Sequence, residues 1–264
     1  MSPIRLLLVG ASGRMGSEIR RLLAEPETAR SFQLTACVAK GEARGALPEG
    51  CRWIDAASFG SADLDTLPAD AVVLDVSLAA GTAALVAALE RSPRAAVFAT
   101  SGLVPALEAR IEALGKEAPV LRARNLSLGA AVARRWLSLL PAAARAAYAA
   151  DVVEQHHAGK KDAPSGTALD LVAALGAMGP GSAGGAAGAG RDDRAVVTHS
   201  IRAGTIPGTH RVILSGDGET LEILHTVYDR SVFARGAIRA ARFVHGKPAG
   251  FYTVDDLIHE SRTH

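Results

Sequence analysis

Short apolar runs alternate with stretches of helical periodicity through the first half of the chain. Ile4–Val9 is an almost unbroken apolar run of the kind that is buried on both faces of a parallel sheet. The next segment, 15–23, has its apolar positions on one helical face. Further strands are predicted at residues 32–38, 71–76, 95–99 and 120–121, and further helices at 81–90 and 104–115. This regular alternation predicts a doubly wound α/β fold.

The pattern changes after residue 128. An alanine-rich helical segment, 129–150, is interrupted by Pro141. Strands are then predicted at 151–154, 195–201, 209–215 and 219–226, a hairpin turn at 216–218, and helices at 168–175, 233–244 and around 257–258. Residues 176–190 are mostly Gly, Ala and Ser without an apolar period, which predicts a mobile surface loop.

Composition narrows the class of protein. A formal charge of +2 over 264 residues is too small to indicate nucleic-acid binding. The two cysteines, Cys37 and Cys51, are too few for a disulfide framework, and Cys37 lies in an apolar run where burial is expected. Neither a signal-peptide pattern nor a bilayer-length apolar stretch is visible. We therefore expect a cytoplasmic protein with no membrane partner.

A glycine-rich turn follows the first predicted strand and opens the first predicted helix. Its residues are Gly10, Ala11, Ser12, Gly13, Arg14, Met15 and Gly16, in the spacing G-x-x-G-x-x-G. Glycines in this position allow a pyrophosphate to approach the backbone amides at the positive end of the helix. An ordinary strand-to-helix loop is the alternative, but the position one strand from the N-terminus favours a dinucleotide, and Arg14 adds a cation.

The end of the second strand bears on which nucleotide is bound. An acidic residue there would accept the ribose hydroxyls of NADH, but the sequence has Ala39 followed by Lys40. Lys40 and the nearby Arg44 would suit the 2′-phosphate of NADPH. Solvated loop charges explain the same residues equally well, and Glu42 could turn inward, so both NADH and NADPH remain open.

A second cluster combines two imidazoles, two ammonium groups and a helix start within fifteen residues, 154–168. The amides of Gly166 and Thr167, in the first turn after Pro164, are available to an anion, and His156 and Lys160 come from the preceding loop. Charge-assisted hydrogen bonds of this type contribute about 1.5–3 kcal/mol each. A lysine beside a second cation, Lys161 or a histidinium, would lose its proton more easily and suit a general acid. The cluster therefore predicts a site for a small dicarboxylate.

Adjacent histidines can also indicate a metal site. Neither cysteine lies near His156 and His157 in the sequence, and Glu154 and Asp162 do not have the spacing of known histidine–carboxylate zinc motifs. We therefore predict no metal.

The segment from Glu154 to Ala168 resembles E-x-H-H-x-x-K-x-D-x-P-S-G-T-A, the signature of the dihydrodipicolinate reductase family. The resemblance covers nearly the whole chain. The glycine turn resembles the family's nucleotide loop, Thr100-Ser101-Gly102 its loop near the nicotinamide, with Ala99 in place of the first glycine, and Asn125-Leu126-Ser127 its hinge.

This resemblance implies a Rossmann-like doubly wound parallel sheet with a second, smaller α/β domain that contains a mixed or antiparallel sheet. The first domain would comprise residues 1–126 and 237–264, and the second, residues 127–236, would build a homotetramer. The implied reaction is the reduction of hydroxy-tetrahydrodipicolinate (or dihydrodipicolinate) to tetrahydrodipicolinate by NADPH or NADH in diaminopimelate and lysine biosynthesis.

The resemblance also implies roles for individual residues. His156 would be an acid or substrate-orienting residue and Lys160 the proton donor. The substrate carboxylates would be bound by His157, Ser165, Gly166 and Thr167. The cofactor would be bound by the glycine turn, Gly10 to Gly16, and by Lys40, Ala99, Thr100, Ser101, Ala123, Arg124, Asn125 and Leu126.

Two other functions are compatible with a nucleotide-binding sheet. One is another NAD(P)-dependent dehydrogenase of a small carboxylate such as aspartate, which would not be expected to need the His-His-x-x-Lys cluster. The other is a redox-sensing module that binds a nucleotide without turnover, against which the retention of both His156 and Lys160 argues.

Overall fold

The computed structural model describes residues 2–43, 46–176 and 196–259. It divides the chain into two compact units, the first up to Ser127 and again from Arg230, the second from Leu128 to Asp229. Arg44 and the predicted loop at 176–190, apart from Gly176, lie outside the described residues. Within the described part of the chain, no helix has the length and apolarity that a bilayer crossing requires.

The first unit is built on a seven-stranded sheet in which all the pairings are parallel. Its strands are β1 (Ile4–Val9), β2 (Phe32–Ala39), β3 (Arg52–Asp55), β4 (Val72–Asp75), β5 (Ala96–Phe98), β6 (Pro119–Arg122) and, late in the chain, β11 (Gly250–Thr253). The order is β11-β6-β5-β4-β1-β2-β3, so the chain proceeds in one direction from β1 and then returns to continue in the other. This is the predicted doubly wound sheet.

Helices cover the sheet: α1 (Arg14–Leu23), α2 (Pro26–Ala29), α3 (Ser61–Asp65), α4 (Ala79–Leu89), α5 (Pro105–Leu114), α9 (Ser231–Val244) and α10 (Val254–His259). The central strands are apolar and buried because helices cover both faces, as Leu7, Leu8 and Phe98 illustrate with no exposed surface. Burial of these runs stabilises the sheet by about 25 cal/mol per Å² of apolar surface removed from water.

Two strands and two short helices of this unit were not predicted. The strands β3 and β11 lie at the two edges of the sheet, and most of their residues remain partly or fully exposed. An edge strand does not need the continuous apolar run that marks a central one, so neither stands out in the sequence. The helices α2 and α3 have only four and five residues, too few for a periodic pattern.

The second unit has a four-stranded mixed sheet in the order β10-β9-β7-β8. Its strands are β7 (Ala149–His156), β8 (Val197–Arg202), β9 (Gly208–Gly216) and β10 (Glu219–Val227), and its helices are α6 (Leu128–Ser138), α7 (Ala142–Ala147) and α8 (Gly166–Leu175). Only β7 and β8 are parallel. The predicted hairpin is present between β9 and β10, where Gly218 has a φ of +75°.

The prediction of a helical segment up to residue 150 is wrong at its end. The alanines favour a helix locally, but Ala149 and Ala150 pair with Ser215 and Leu214 on β9, and Ala150 is fully buried in the sheet. Tertiary pairing outweighs the helix propensity of these two residues, so β7 begins two residues earlier than expected.

The helix α9 lies wholly within the first unit, which the structure resumes at Arg230. The predicted return at residue 237 falls inside this helix. Its small buried residues, among them Ala234, Gly236 and Ala237, allow it to pack closely, and a side chain on Gly236 would overlap with the carbonyl group of Leu126.

Candidate active site

The glycine turn is held against the carboxyl ends of two neighbouring strands. The amides of Gly10 and Ala11 donate to the carbonyl oxygen of Val38 on β2, over 2.8 and 3.2 Å. Gly10 has a φ of +88°, and a Cβ there would lie 2.7 Å from the Cα of Ser77, which follows β4. Only glycine satisfies both the backbone conformation and this close approach.

The helix α1 begins within the turn, at Arg14, and has no capping side chain because its N-cap residue is Gly13. The amides of its first turn have no acceptor within the helix and carry the positive end of the helix dipole. Arg14 is exposed beside them. These residues fit the pyrophosphate of a dinucleotide, which needs unobstructed amides and positive charge.

Thr100, in the loop after β5, is held from two sides by buried charged residues. Its Oγ1 donates to Asp75 Oδ2 over 3.0 Å, and its carbonyl oxygen accepts from Arg122 Nη2 over 2.9 Å. Asp75 also accepts from Ser77 and Thr82, and Arg122 pairs with Glu108 over 2.7 Å. Burial raises the pKa of Asp75, against the lowering effect of these hydrogen bonds. The network fixes the loop that the sequence assigns to the nicotinamide.

All the predicted cofactor residues follow the carboxyl ends of adjacent strands. The glycine turn follows β1, Lys40 follows β2, Ala99–Thr100–Ser101 follow β5, and Ala123, Arg124, Asn125 and Leu126 follow β6. The strand order reverses between β1 and β4, and ligands of open α/β sheets bind outside the carboxyl ends at such a point.

In the second unit, Glu154 lies at the centre of a buried charged network. Its side chain has no exposed surface; Oε2 lies 2.5 Å from Nδ1 of His156, and Oε1 accepts from Nη2 of Arg202 over 2.6 Å. Burial raises the pKa of Glu154, but the hydrogen bonds from Arg202, Ser200 and His156 outweigh it and lower the pKa overall. Glu154 is thus an ionised carboxylate that orients the ring of His156.

Three histidines lie in a row across β7, β9 and β10. The rings of His156 and His210 meet edge to face with centroids 5.1 Å apart, and His210 and His225 are stacked at 5.9 Å. His210 Nε2 lies 3.0 Å from Oγ of Ser165, which also accepts from the amide of Ala168 and so caps α8. The hydroxyl of Ser165 is therefore engaged inside the unit, and the residue is 2% exposed.

Lys160 is partly exposed, and its Nζ lies 2.8 Å from the Asp162 carboxylate. The partner of Lys160 is therefore an acid rather than the second cation that the sequence analysis considered. The hydrogen bond from Lys160 lowers the pKa of Asp162. His157 and Gly166 are exposed and Thr167 is half-buried, so the start of α8 is open to solvent beside Lys160's loop.

Arg202 and His210 belong to this site and were not predicted. Arg202 also donates to the carbonyl oxygen of Asp162 over 2.6 Å, which ties β8 to the loop of Lys160. Strand pairing brings both residues to the site. Arg202 on β8 pairs with His156, and His210 on β9 pairs with Glu154. Nothing in their local sequence distinguishes them from ordinary strand residues.

Among the described residues, Glu154, His156 and His210 could together offer ligand atoms to a cation, within 4.8 Å of one another. Both oxygens of Glu154 are already used in hydrogen bonds with Arg202 and His156. A cation would compete with these hydrogen bonds for the Glu154 oxygens and lie close to the Arg202 charge, so the arrangement favours a hydrogen-bonded network over a metal site.

We expect the second unit to lose stability as the pH falls from about 6.5 to about 4. Burial, and then the positive charges of His156 and His225, lower the pKa of His210 from 6.5 to about 4. In that window the unfolded chain takes up a proton that the folded chain excludes, so the stabilisation is complete above pH 6.5 and is lost below it. Urea unfolding at several pH values would measure the slope of the unfolding free energy against pH.

The variant His210→Asn should reduce this slope, whereas the control His259→Asn, on exposed α10, should keep it. An unchanged slope in His210→Asn would contradict the assignment of this pH dependence to His210.

Models of one protein family match nearly the whole chain. The model described as "Dihydrodipicolinate reductase, N-terminus" matches residues 4–126, and "Dihydrodipicolinate reductase, C-terminus" matches residues 129–258. The 4-hydroxy-tetrahydrodipicolinate reductase of Xanthomonas euvesicatoria pv. vesicatoria (strain 85-10) is 36% identical over 261 residues, covering 97% of this chain and 98% of that protein. That of Stenotrophomonas maltophilia (strain R551-3) is 38% identical over 258 residues, with the same coverage.

A solved structure agrees on the fold. The dipicolinate-bound dihydrodipicolinate reductase from Paenisporosarcina sp. TG-14 has a TM-score of 0.76 at 19% identity and covers 96% of this chain and 99% of its own.

A doubly wound sheet with a glycine-rich nucleotide loop, in a chain that also carries a histidine–lysine cluster, defines a nicotinamide nucleotide-dependent oxidoreductase. The comparisons make this specific, because the chain belongs to the dihydrodipicolinate reductase family. It is an NAD(P)H-dependent reductase of diaminopimelate and lysine biosynthesis, which reduces hydroxy-tetrahydrodipicolinate to tetrahydrodipicolinate. The predicted family, fold class and reaction are confirmed.

Proposed function

We propose that the second unit binds the dicarboxylate substrate and protonates it, and that Lys160 is the proton donor. The observation that carries this assignment is the ammonium group of Lys160, held 2.8 Å from Asp162 on a loop between the oriented ring of His156 and the open start of α8. Bound nicotinamide nucleotide supplies the hydride. The negative charge that hydride addition leaves on the substrate needs a nearby acid, and an ammonium group is suited to donate that proton.

The substrate carboxylates are assigned to the start of α8 and to His157. Gly166 and Thr167 lie in the first turn, at the positive end of the helix dipole. The Gly166 amide donates to the Asp162 carboxylate, a position that a substrate carboxylate would take over. Ser165 contributes by capping this turn, since its hydroxyl accepts from Ala168. His156, fixed at Nδ1 by Glu154, presents Nε2 as its remaining polar atom, and Gly208 leaves room beside it: a Cβ there would lie 3.2 Å from Nε2.

The cofactor is assigned to the residues that follow β1, β2, β5 and β6, and we propose a preference for NADPH. The support is Lys40, which is exposed after β2, and Ala39, which cannot accept a ribose hydroxyl. Michaelis constants for NADPH and NADH, measured side by side with enzymatically generated substrate, test the preference. A lower constant for NADPH is expected, and equal or reversed constants would remove Lys40 from phosphate recognition.

The same assay tests the site as a whole. Oxidation of NAD(P)H should depend on the cyclic dicarboxylate, and the protein should not reduce NAD(P)+ when aspartate is supplied. Turnover of aspartate at a comparable rate would contradict the assignment of this site to the cyclic dicarboxylate.

We further propose a cytoplasmic homotetramer that forms through the sheet of the second unit. The support is the exposure of large apolar side chains on β10, the last strand of that sheet, where Leu221 is 50% and Leu224 56% exposed. An exposed apolar strand at a sheet edge invites pairing with another copy.

We expect Leu224→Glu to dissociate the assembly. A charge on each copy of a paired apolar strand would be buried without a partner. Light scattering coupled to size exclusion should give four times the chain mass of 27.2 kDa for the wild type and a smaller mass for the variant. The control Leu78→Glu changes a residue of the first unit that is 79% exposed and should leave the mass unchanged. A wild-type monomer would overturn the proposal.

A further inference from the structure

The two cysteines of the chain, Cys37 and Cys51, are separated in the sequence but lie close together in the first unit. Their Sγ atoms lie 3.9 Å apart, and both are free thiols. Cys37 is on β2 and has no exposed surface, whereas Cys51 immediately precedes β3 and is half-buried. A disulfide needs its sulfurs at about 2.05 Å, so closing the bond requires the two sulfurs to approach each other by about 2 Å.

The two thiols differ in reactivity. The hydrogen bond between the two thiols and the positive charge of Arg20 lower the pKa of Cys51, against the raising effect of its burial. The hydrogen bond with Cys51 and burial raise the pKa of Cys37. Cys51 is therefore the accessible, more acidic thiol, and Cys37 is a protected thiol within reach of it. This is the usual arrangement of a reactive and a resolving cysteine.

The pair lies next to the backbone that anchors the nucleotide loop. Cys37 directly precedes Val38, whose carbonyl oxygen accepts from the amides of Gly10 and Ala11. Trp53, which pairs with Cys37 in the parallel register of β2 and β3, donates from Nε1 to the carbonyl oxygen of Gly41 over 2.6 Å and so fixes the turn after Lys40. A displacement of Cys37 would act on both the glycine turn and the turn at the ribose side.

We propose that Cys37 and Cys51 form a hydroperoxide-oxidisable dithiol whose closure to a disulfide weakens nucleotide binding. In the first step the Cys51 thiolate attacks the terminal oxygen of the hydroperoxide and the O–O bond breaks. That oxygen stays on Cys51 as a sulfenic acid, and the other leaves as an alkoxide or hydroxide. In the second, the Cys37 sulfur displaces the hydroxyl group of that sulfenic acid, which leaves as water with the Cys37 proton. The two thiols lose two electrons in total, and the O–O bond of the peroxide accepts them.

The test uses the full-length protein, reduced and then treated with hydrogen peroxide. Intact mass should fall by two hydrogens, and peptide mapping without reduction should find Cys37 linked to Cys51. In Cys37→Ala, which keeps a small apolar group in the core, oxidation should stop at a sulfenic acid on Cys51 that dimedone traps. In Cys51→Ser, Cys37 should stay reduced at the same dose. Oxidation of Cys37 in Cys51→Ser, or no linkage in the wild type, would overturn the proposed site.

The effect on the nucleotide is measured by titrating NADPH into the oxidised and reduced protein. The dissociation constant should rise roughly tenfold on oxidation, a change of about 1.4 kcal/mol, and dithiothreitol should reverse it. Cys37→Ala treated with peroxide in the same way is the control and should bind as the reduced protein does. A disulfide that forms without changing the dissociation constant would contradict the coupling to the glycine turn.

Discussion

Replacing Lys160 by alanine should lower kcat by roughly a hundredfold or more, the usual effect of losing a general acid. The variant lacks the ammonium group that we assign to protonation of the substrate, whereas His156 and the start of α8 keep their contacts. Nucleotide affinity should not change, because Lys160 belongs to the second unit and the predicted cofactor residues all belong to the first. Steady-state kinetics and a separate nucleotide titration measure the two quantities.

Lys161→Ala is the matched control, because Lys161 is exposed and adjacent in the sequence. It should retain kcat within a few-fold, as surface charges screened by solvent contribute little. If Lys160→Ala turned over at near the wild-type rate, Lys160 would be removed from the mechanism. If both lysine variants lost kcat equally, the effect would come from the net charge of the loop rather than from one proton donor.

Much of the fold follows from local patterns because the central strands are covered on both faces. Ile4–Val9 is apolar along its length and is the strand β1 with the same bounds. Where burial is one-sided the pattern is weaker, and β3 and β11 at the sheet edges were missed for this reason. The start of β7 was missed because alanine favours a helix until a partner strand is present.

The candidate site was likewise predicted only where its residues lie within one local motif. His156 and Lys160 lie within one short motif, so the chemistry of that motif could be predicted from residue types and spacing. Arg202 reaches Glu154 from 48 residues away and His210 reaches Ser165 from 45 residues away, through strand pairing that no local pattern encodes. The role of Glu154 could not be predicted either, because its importance comes from complete burial between two partners.

Glu154→Gln should lower kcat/KM at least tenfold and shift its pH dependence. With the carboxylate present, His156 donates from Nδ1 and Nε2 is free to accept; the amide of glutamine can donate to Nδ1 and so favour the opposite tautomer. In triad enzymes, a histidine held in the wrong tautomer costs as much as about 10⁴ in rate. Burial lowers the pKa of His156, and the hydrogen bond with Glu154 opposes that effect. Without the carboxylate, the limb of the profile that reports His156 should therefore move to lower pH.

A loss of folding stability in Glu154→Gln could also lower the measured rate. Removing one partner of a buried ion pair costs about 3–5 kcal/mol, and Arg202 would keep its charge with only 17% of its side chain exposed. Arg202→Lys separates the two effects. It disturbs the geometry of the pair but keeps a positive charge beside Glu154 and leaves the carboxylate against His156, so it should lower the unfolding midpoint while the pH limb stays in place. A folded Glu154→Gln enzyme with the wild-type limb and rate would show that the carboxylate serves stability alone, and His156 would then be oriented by its contacts with His210 and Gly208.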